Sequence, residues 1–436
     1  MARRPRIAMI TREDCARRDQ ADELAPLRAL FDRPDGVIYL DGNSLGALPR
    51  SAAARVEQVV AAEWGRGLIG SWNDAGWIDL PQRVGDKIAR LIGAGAGECV
   101  AGDSTSVNLF KVLSAALALV RAGAPRRSVV LSQRGNFPTD LYIAESAARL
   151  AGCTLELFDG DGVPARIDAD VGVVLLTHVD YRTGRMHAMQ AVNRAAHAAG
   201  ALVVWDLAHS AGAVPVDLHG GGAASDAADL AVGCGYKYLN GGPGAPAYVW
   251  AHPRHLARMD ELGLPQPLPG WFGHAAPFAF APDYRPAPGI ARFACGTPPV
   301  LALAALECGV DTVLAAEAHG GIPALRRKSE ALTELFIALV DDTCAGLGLA
   351  LAAPRDPDVR GSQVSFAHGE GGYAIVQALI ARGVVGDFRA PDILRFGVAP
   401  LYVRFVDVWD AVAHLREVLA SGEWRDARFA RRAPVT

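Results

Sequence analysis

Between residues 129 and 250, short apolar runs alternate with helix-like segments, and this alternation limits the fold more than any other feature of the chain. The runs are Val129–Ser132, Thr154–Phe158, Val171–Thr177, Ala201–Asp206, Asp229–Cys234 and Ala247–Trp250, with helical spacing over Leu141–Ala151 and Met189–Ala199. Strands that are apolar on both faces and separated by helices predict an α/β fold with a mainly parallel central sheet covered on both sides. In such sheets, ligands gather at the carboxyl ends of the strands.

The flanks read differently. Residues 51–66 and 82–92 have helical apolar spacing, and the Pro-rich stretch Leu264–Pro299 excludes long helices and central strands, so it reads as ordered loop. Helical runs follow over Val300–Ala316 and Ile322–Cys344, then a smaller α+β region to the C-terminus. The expected organisation is an N-terminal arm (1–50), a large α/β domain (51–310) and a small C-terminal α+β domain (311–436).

Composition narrows the partners. A formal net charge of −4 over 436 residues argues against nucleic acid, which needs a basic surface. No stretch reads as the roughly 18 apolar residues of a membrane span, and the basic N-terminus lacks the apolar core of a signal peptide. Seven scattered cysteines with no C-x-x-C pair fit reduced thiols in a cytoplasm, with no metal site expected.

Of 43 basic residues only four are lysine: Lys87, Lys111, Lys237 and Lys328. Chemistry that needs a primary amine therefore has four candidates. Lys87, Lys111 and Lys328 sit in amphipathic or charged helical stretches and read as surface or helix-rim residues. Lys237 lies just beyond a strand, in CGYKYLNGGPG, and Asp206 ends the preceding strand 31 residues earlier. An aspartate in that position is most often a helix cap, and a lysine beside a glycine-rich turn is usually solvated. Together, at neighbouring strand ends, they suit pyridoxal phosphate, whose aldehyde needs an amine and whose ring nitrogen needs a carboxylate.

The motifs YLDGNSLG (39–46), NFPTD (136–140), THVDYRTG (177–184), WDLAHSAG (205–212), GYKYLNGGPG (235–244), GWFGH (270–274) and ILRFGVAPLY (393–402) resemble those of kynureninases, in order from about residue 39 to 417. The family is of the aspartate-aminotransferase-like fold type I and depends on pyridoxal phosphate. Its reaction is hydrolysis of L-kynurenine to anthranilate and L-alanine. The resemblance implies Lys237 as the Schiff-base lysine that also moves the α-proton, and Asp206 as the partner of the ring nitrogen. It implies Phe137 stacked on the ring, with Asp140 at the polar edge and His209 in support. Thr105 and Ser106, at a helix start, would donate to the phosphate, a favourable place for an anion. Thr177 would face the cofactor, and Tyr236 would reach the phosphate and relay a proton. Arg395 would clamp the substrate carboxylate with its planar fork. Trp72, Trp271 and Thr297 would shape the aryl pocket, with Trp271 and Thr297 reaching the cofactor site of a second copy, so a homodimer with a shared active site is implied. The stretch near Gly220–Ser225 lengthens the Asp206–Lys237 interval and reads as a surface-loop insertion.

Three other readings compete. A cysteine desulfurase or aminotransferase shares the fold group, with Cys295 as the cysteine near a candidate loop. A catalytically inactive pyridoxal-phosphate-binding regulator is opposed by the intact Lys, Asp, Tyr and Arg set. A nicotinamide dehydrogenase is disfavoured because no G-x-G-x-x-G turn follows an early strand.

Overall fold

The alternating segments form one seven-stranded sheet. In the computed structural model, which describes residues 10–160 and 162–432, its strands are β1 (Cys99–Ala101), β2 (Val129–Gln133), β3 (Thr154–Phe158), β4 (Val171–Thr177), β5 (Leu202–Asp206), β6 (Leu230–Gly233) and β7 (Tyr248–Ala251). They lie in the order β1-β7-β6-β5-β4-β2-β3. β2 to β6 are parallel, and β7 runs antiparallel to both its neighbours. The apolar runs thus become strands within a residue or so of their expected ends. β1 escapes sequence reading because three residues show no period.

The sheet is covered by α1 (Thr105–Gly123), α2 (Pro138–Leu150), α3 (Met189–Ala199) and α4 (Pro253–Leu262), and α5 (Val300–Leu314), in the same unit, packs on the helices Arg50–Gln58 and Leu80–Leu91. Leu109, Val112, Leu113 and Ala116 of α1 share one buried cluster with Val130, Val173, Val204, Val232 and Val249 of five strands. Here the reading that no segment matches a membrane span needs correction: α1 has 19 residues and is long and apolar enough by composition. Its apolar character is explained by burial against the sheet, since more than half of its span lies inside the protein.

This larger unit comprises Leu48–Tyr181 and Met186–Leu314. The helix expected over 51–66 is α-helical only over Arg50–Gln58 and widens to π-helical turns over Val59–Gly67. Gly65 and Gly67, both poor helix formers, fall in the widened part. The Pro-rich stretch carries only single-turn 3₁₀ segments, such as Trp271–Gly273 and Gly289–Phe293. Gly220, Gly221 and Gly222 all take positive φ (61°, 65° and 86°), the first buried and the other two exposed. This segment is tied down by Arg254, which donates to the Ala224 carbonyl at 3.1 Å, and by a 2.9 Å contact of His197 Nδ1 with the Ser225 carbonyl.

The smaller unit combines residues up to Ala47, Arg182–Arg185 and the chain from Ala315 onward. Its antiparallel sheet contains β8 (Ala350–Leu351), β9 (Gln363–Ala367), β10 (Asp387–Arg389) and β11 (Ile393–Gly397), in the order β8-β9-β11-β10. α6 (Gly321–Thr343), α7 (Gly372–Ala381) and α8 (Phe405–Ser421) pack with it. Phe336 of α6 stacks on Phe396 with centroids 4.9 Å apart. The helix Arg12–Gln20 packs on α8, where Arg12 grips Asp410 through bonds of 2.8 and 2.9 Å.

Two lysines are not where the sequence put them. Lys111 is 1% exposed, and its Nζ bonds Asp103 at 2.9 Å and the Phe293 carbonyl at 2.5 Å. Lys328, 8% exposed, pairs with Asp22 at 2.7 Å. A long stem lets an amine reach a carboxylate from a buried helix face, which composition and spacing do not reveal. Lys87 does lie at a helix rim, paired with Asp311 at 2.7 Å.

Candidate active site

A cavity of about 240 Å³ opens at the carboxyl ends of the parallel strands of the larger unit. It is lined by nine of the residues singled out from sequence, namely Thr105, Ser106, Phe137, Asp140, Thr177, Asp206, His209, Tyr236 and Lys237. The parallel sheet explains the convergence. Thr177 ends β4 and Asp206 ends β5, and the two are register partners. Asn136, Phe137 and Asp140 follow β2, Thr105 follows β1, and Lys237 follows β6.

Local chemistry fixes each segment. Asn240 adopts φ 55° and its amide donates to the Lys237 carbonyl at 2.9 Å, closing a tight turn around the lysine. An added Cβ at Gly235 would lie 2.3 Å from the Pro246 carbonyl oxygen, so this turn tolerates no side chain there. At the start of α1 the cap is Ser104, whose hydroxyl accepts from the Val107 amide at 3.4 Å. Thr105 and Ser106 therefore occupy the first helical positions rather than the capping position, and both residues border the cavity. The amides of a helix's first turn are natural donors to an anion.

Two carboxyl groups meet in the lining of the same cavity. Asp206 is 3% exposed, accepts from the Ala208 amide at 2.8 Å and shares a hydrogen bond with Asp140. Burial and the charge of Asp206 push Asp140 well above the usual carboxylate range, so Asp140 carries the shared proton. Thr177 Oγ1 lies 3.3 Å from Asp140 Oδ2 and also donates to Asn136 Oδ1. Asp206 is raised by its own burial even though the Lys237 charge and the Ala208 amide pull it down. A protonated ring nitrogen would bring positive charge to this buried pair. With a helix start suited to an anion and an amine lining the same cavity, the donor set fits pyridoxal phosphate.

Phe137 lines the cavity and meets Tyr181 edge-on at 5.3 Å. Lys237 Nζ lies 5.8 Å from the centre of the Tyr236 ring. His209 is buried beside Asp206. Thr139, Tyr181 and Ala208 also line the cavity and were not singled out from sequence. All three lie inside the quoted motifs, but nothing in a motif says which of its side chains point inward.

Trp72, Trp271 and Thr297 do not line this cavity. They form an aromatic cluster elsewhere in the larger unit: the Trp271 indole donates to Thr297 at 3.3 Å, and the rings of Trp72 and Trp271 lie 6.2 Å apart. Arg395 belongs to the smaller unit, on β11, where it is 1% exposed and bonds Asp387 Oδ1 at 2.7 Å and Ser44 at 2.7 Å. Cys295 is half-buried, lies 3.8 Å from Gln266 Nε2 and has its thiol pushed up by burial. A thiol held in that way is poorly suited to act as a nucleophile.

Sheet order, buried carboxylate and strand-end lysine define a pyridoxal-phosphate enzyme of fold type I. Solved structures agree on the fold: a C-DES mutant described as holding glycine covalently linked to the PLP cofactor (TM-score 0.74, 18% identity, 89% of this chain and 99% of that one), and the cysteine desulfurase CsdA of Escherichia coli (TM-score 0.73, 18% identity, 92% and 98%). At the level of sequence, a profile for the kynureninase C-terminal domain matches residues 325–415. The kynureninases of Pseudomonas fluorescens and Burkholderia pseudomallei (strain K96243) are 55% and 54% identical over 431 residues, covering 98% of this chain and 100% of each relative. The chain belongs to the kynureninase family.

Proposed function

We propose that this chain is a hydrolase of ketonic carbon–carbon bonds that converts L-kynurenine and water to anthranilate and L-alanine. The observation that carries this reading is the convergence of Asp206, Lys237, Thr105 and Ser106 on one cavity, in a chain matched over 98% of its length by kynureninases. When bound, pyridoxal phosphate supplies an aldehyde for the substrate amine and a ring that takes up an electron pair.

The protein's own residues do the rest. Lys237 Nζ holds the cofactor, then takes the substrate's α-proton and returns it. Asp206 keeps the ring nitrogen protonated, and Asp140, itself protonated, braces Asp206. Thr105, Ser106 and the first amides of α1 would receive the phosphate, and Phe137, Thr177 and His209 would hold the ring. Water adds to the γ-carbonyl, the Cβ–Cγ bond breaks, and Tyr236 passes a proton during that step. Arg395 receives the α-carboxylate, a role suited to a guanidinium whose orientation is fixed by Asp387.

Trp72, Trp271 and Thr297 shape the aryl pocket, with Trp271 and Thr297 supplied to a second copy in a homodimer. Support for a covered face comes from a chain of rings, Trp72, Trp271, Phe278 and Phe280, the last 84% exposed. The bulk of Trp72 and the small Thr297 favour kynurenine over its 3-hydroxy form. Seven free cysteines suit a cytoplasmic enzyme of tryptophan breakdown, a route that also feeds NAD synthesis.

The test is direct: load the purified protein with pyridoxal phosphate, add L-kynurenine, and follow anthranilate by fluorescence and alanine by chromatography. Equimolar release of both is expected. A cofactor-loaded protein that releases neither overturns the reading.

A further inference from the structure

The smaller unit holds a polar cavity of about 430 Å³ that the reaction does not use. Its walls are the segment Arg28–Ile38 and one face of α8, where Asp407, Asp410 and His414 recur at the spacing that brings side chains to one side of a helix. Three guanidinium groups, Arg28, Arg33 and Arg404, border it. Asp407 is shared by two of them, at 3.1 Å from Arg28 and 2.7 Å from Arg404. Asp410 is already paired with Arg12 at 2.8 Å, and Asp35 lies at the exposed rim.

Arg33 is left over. Its Nε is shielded from solvent and has no hydrogen-bond partner among the described residues, and the same holds for Nδ1 of His414. Arg33 makes no ion pair among the described residues, whereas Arg28 and Arg404 share Asp407, so of the three guanidinium groups it has the most donor capacity left for an anion in the cavity. The crowding is also felt by Arg28, which burial, with Arg33 and Arg404 as further contributors, pulls below the ordinary arginine value despite Asp407.

We propose that this cavity binds a small organic oxyanion, a ligand carrying a carboxylate or phosphate group, held by Arg33, Arg404 and His414. The volume falls within the range of small-molecule pockets, well beyond the needs of a bare ion. The site lies wholly in the smaller unit and stands whether or not the proposed reaction is correct.

Calorimetric titration of the cofactor-loaded protein with inorganic phosphate, and separately with succinate, tests it at ionic strength held constant with chloride. Saturable binding of at least one probe, one per chain, is expected, and which probe binds tells phosphate from carboxylate recognition. Arg33→Ala, a change in a surface segment, should weaken that binding by about tenfold or more. Arg134→Ala, in the exposed pair with Asp159 of the larger unit, should leave it unchanged. Absence of saturable binding by both probes overturns the proposal, and so does wild-type affinity in Arg33→Ala.

Discussion

Each unit brings two aspartates together, and the two pairs differ in the cations beside them. In the larger unit Asp140 and Asp206 share a proton, and both are pushed upward by burial, Asp140 further by the charge of Asp206. In the smaller unit Asp387 is completely buried yet lies below the ordinary carboxylate value, because burial is outweighed by Arg395 and Arg389, the latter at 2.6 Å. Its neighbour Asp41 is raised to about 7 by its own burial and by the charge of Asp387. Two guanidinium groups in bonding contact settle which carboxyl keeps the charge. Where the nearby cation is Lys237, acting without such contact, both carboxyls stay raised. One pair is a finished structural element, whereas the other is set up for a cation that arrives with a ligand.

Substitutions break or sharpen this contrast. Lys237→Ala removes both the amine and the cation near the first pair, and turnover should fall roughly 10³-fold or more, with loss of the visible band of bound cofactor. Anthranilate release at the wild-type rate would refute the assignment. Asp387→Asn leaves Arg395 buried against a neutral amide and should destabilise the protein by about 3–5 kcal/mol in urea unfolding. A loss below about 1 kcal/mol would mean that the second pair is not held by charge. Asp206→Asn should cut turnover roughly 10²–10³-fold, and Asp140→Asn by no more than about tenfold, since an amide replaces a group that is already protonated. Equal losses in the two variants would show that both carboxyls carry charge.

The smallest effect is one of pH. A carboxyl whose folded value is raised binds its proton more tightly in the folded chain. The stability Asp41 contributes is therefore complete below about pH 4 and lost as pH rises through about 7. Asp41→Asn should abolish this fall, which is about 2 kcal/mol between pH 5 and 8, and make the variant the more stable form at pH 8. Parallel denaturation curves for both proteins across that range would count against it.

Much of this was legible in the sequence, for identifiable reasons. Strands buried on both faces announce themselves through Val171–Thr177 and Leu202–Asp206, and the rule that ligands collect at strand ends then places Asp206 and Lys237. The protonation of Asp140 was not legible, because it depends on a partner 66 residues away that only register brings alongside. The settings of Lys111 and Lys328 were hidden for a similar reason: their counterions, Asp103 and Asp22, come from other segments. Asp387 stood just ahead of a quoted motif and became visible only when β10 paired with β11.

The burial of those two lysines has a practical side. Reagents that acylate or reductively alkylate amines need an accessible, unprotonated nitrogen, and Lys111 and Lys328 are sealed in the interior. Side-chain labelling of the folded protein is thus confined to Lys87 and Lys237, and Lys87 is clamped between Glu307 and Asp311. Peptide mapping after mild labelling would read the state of the cavity directly, as the ratio of one modified peptide to another.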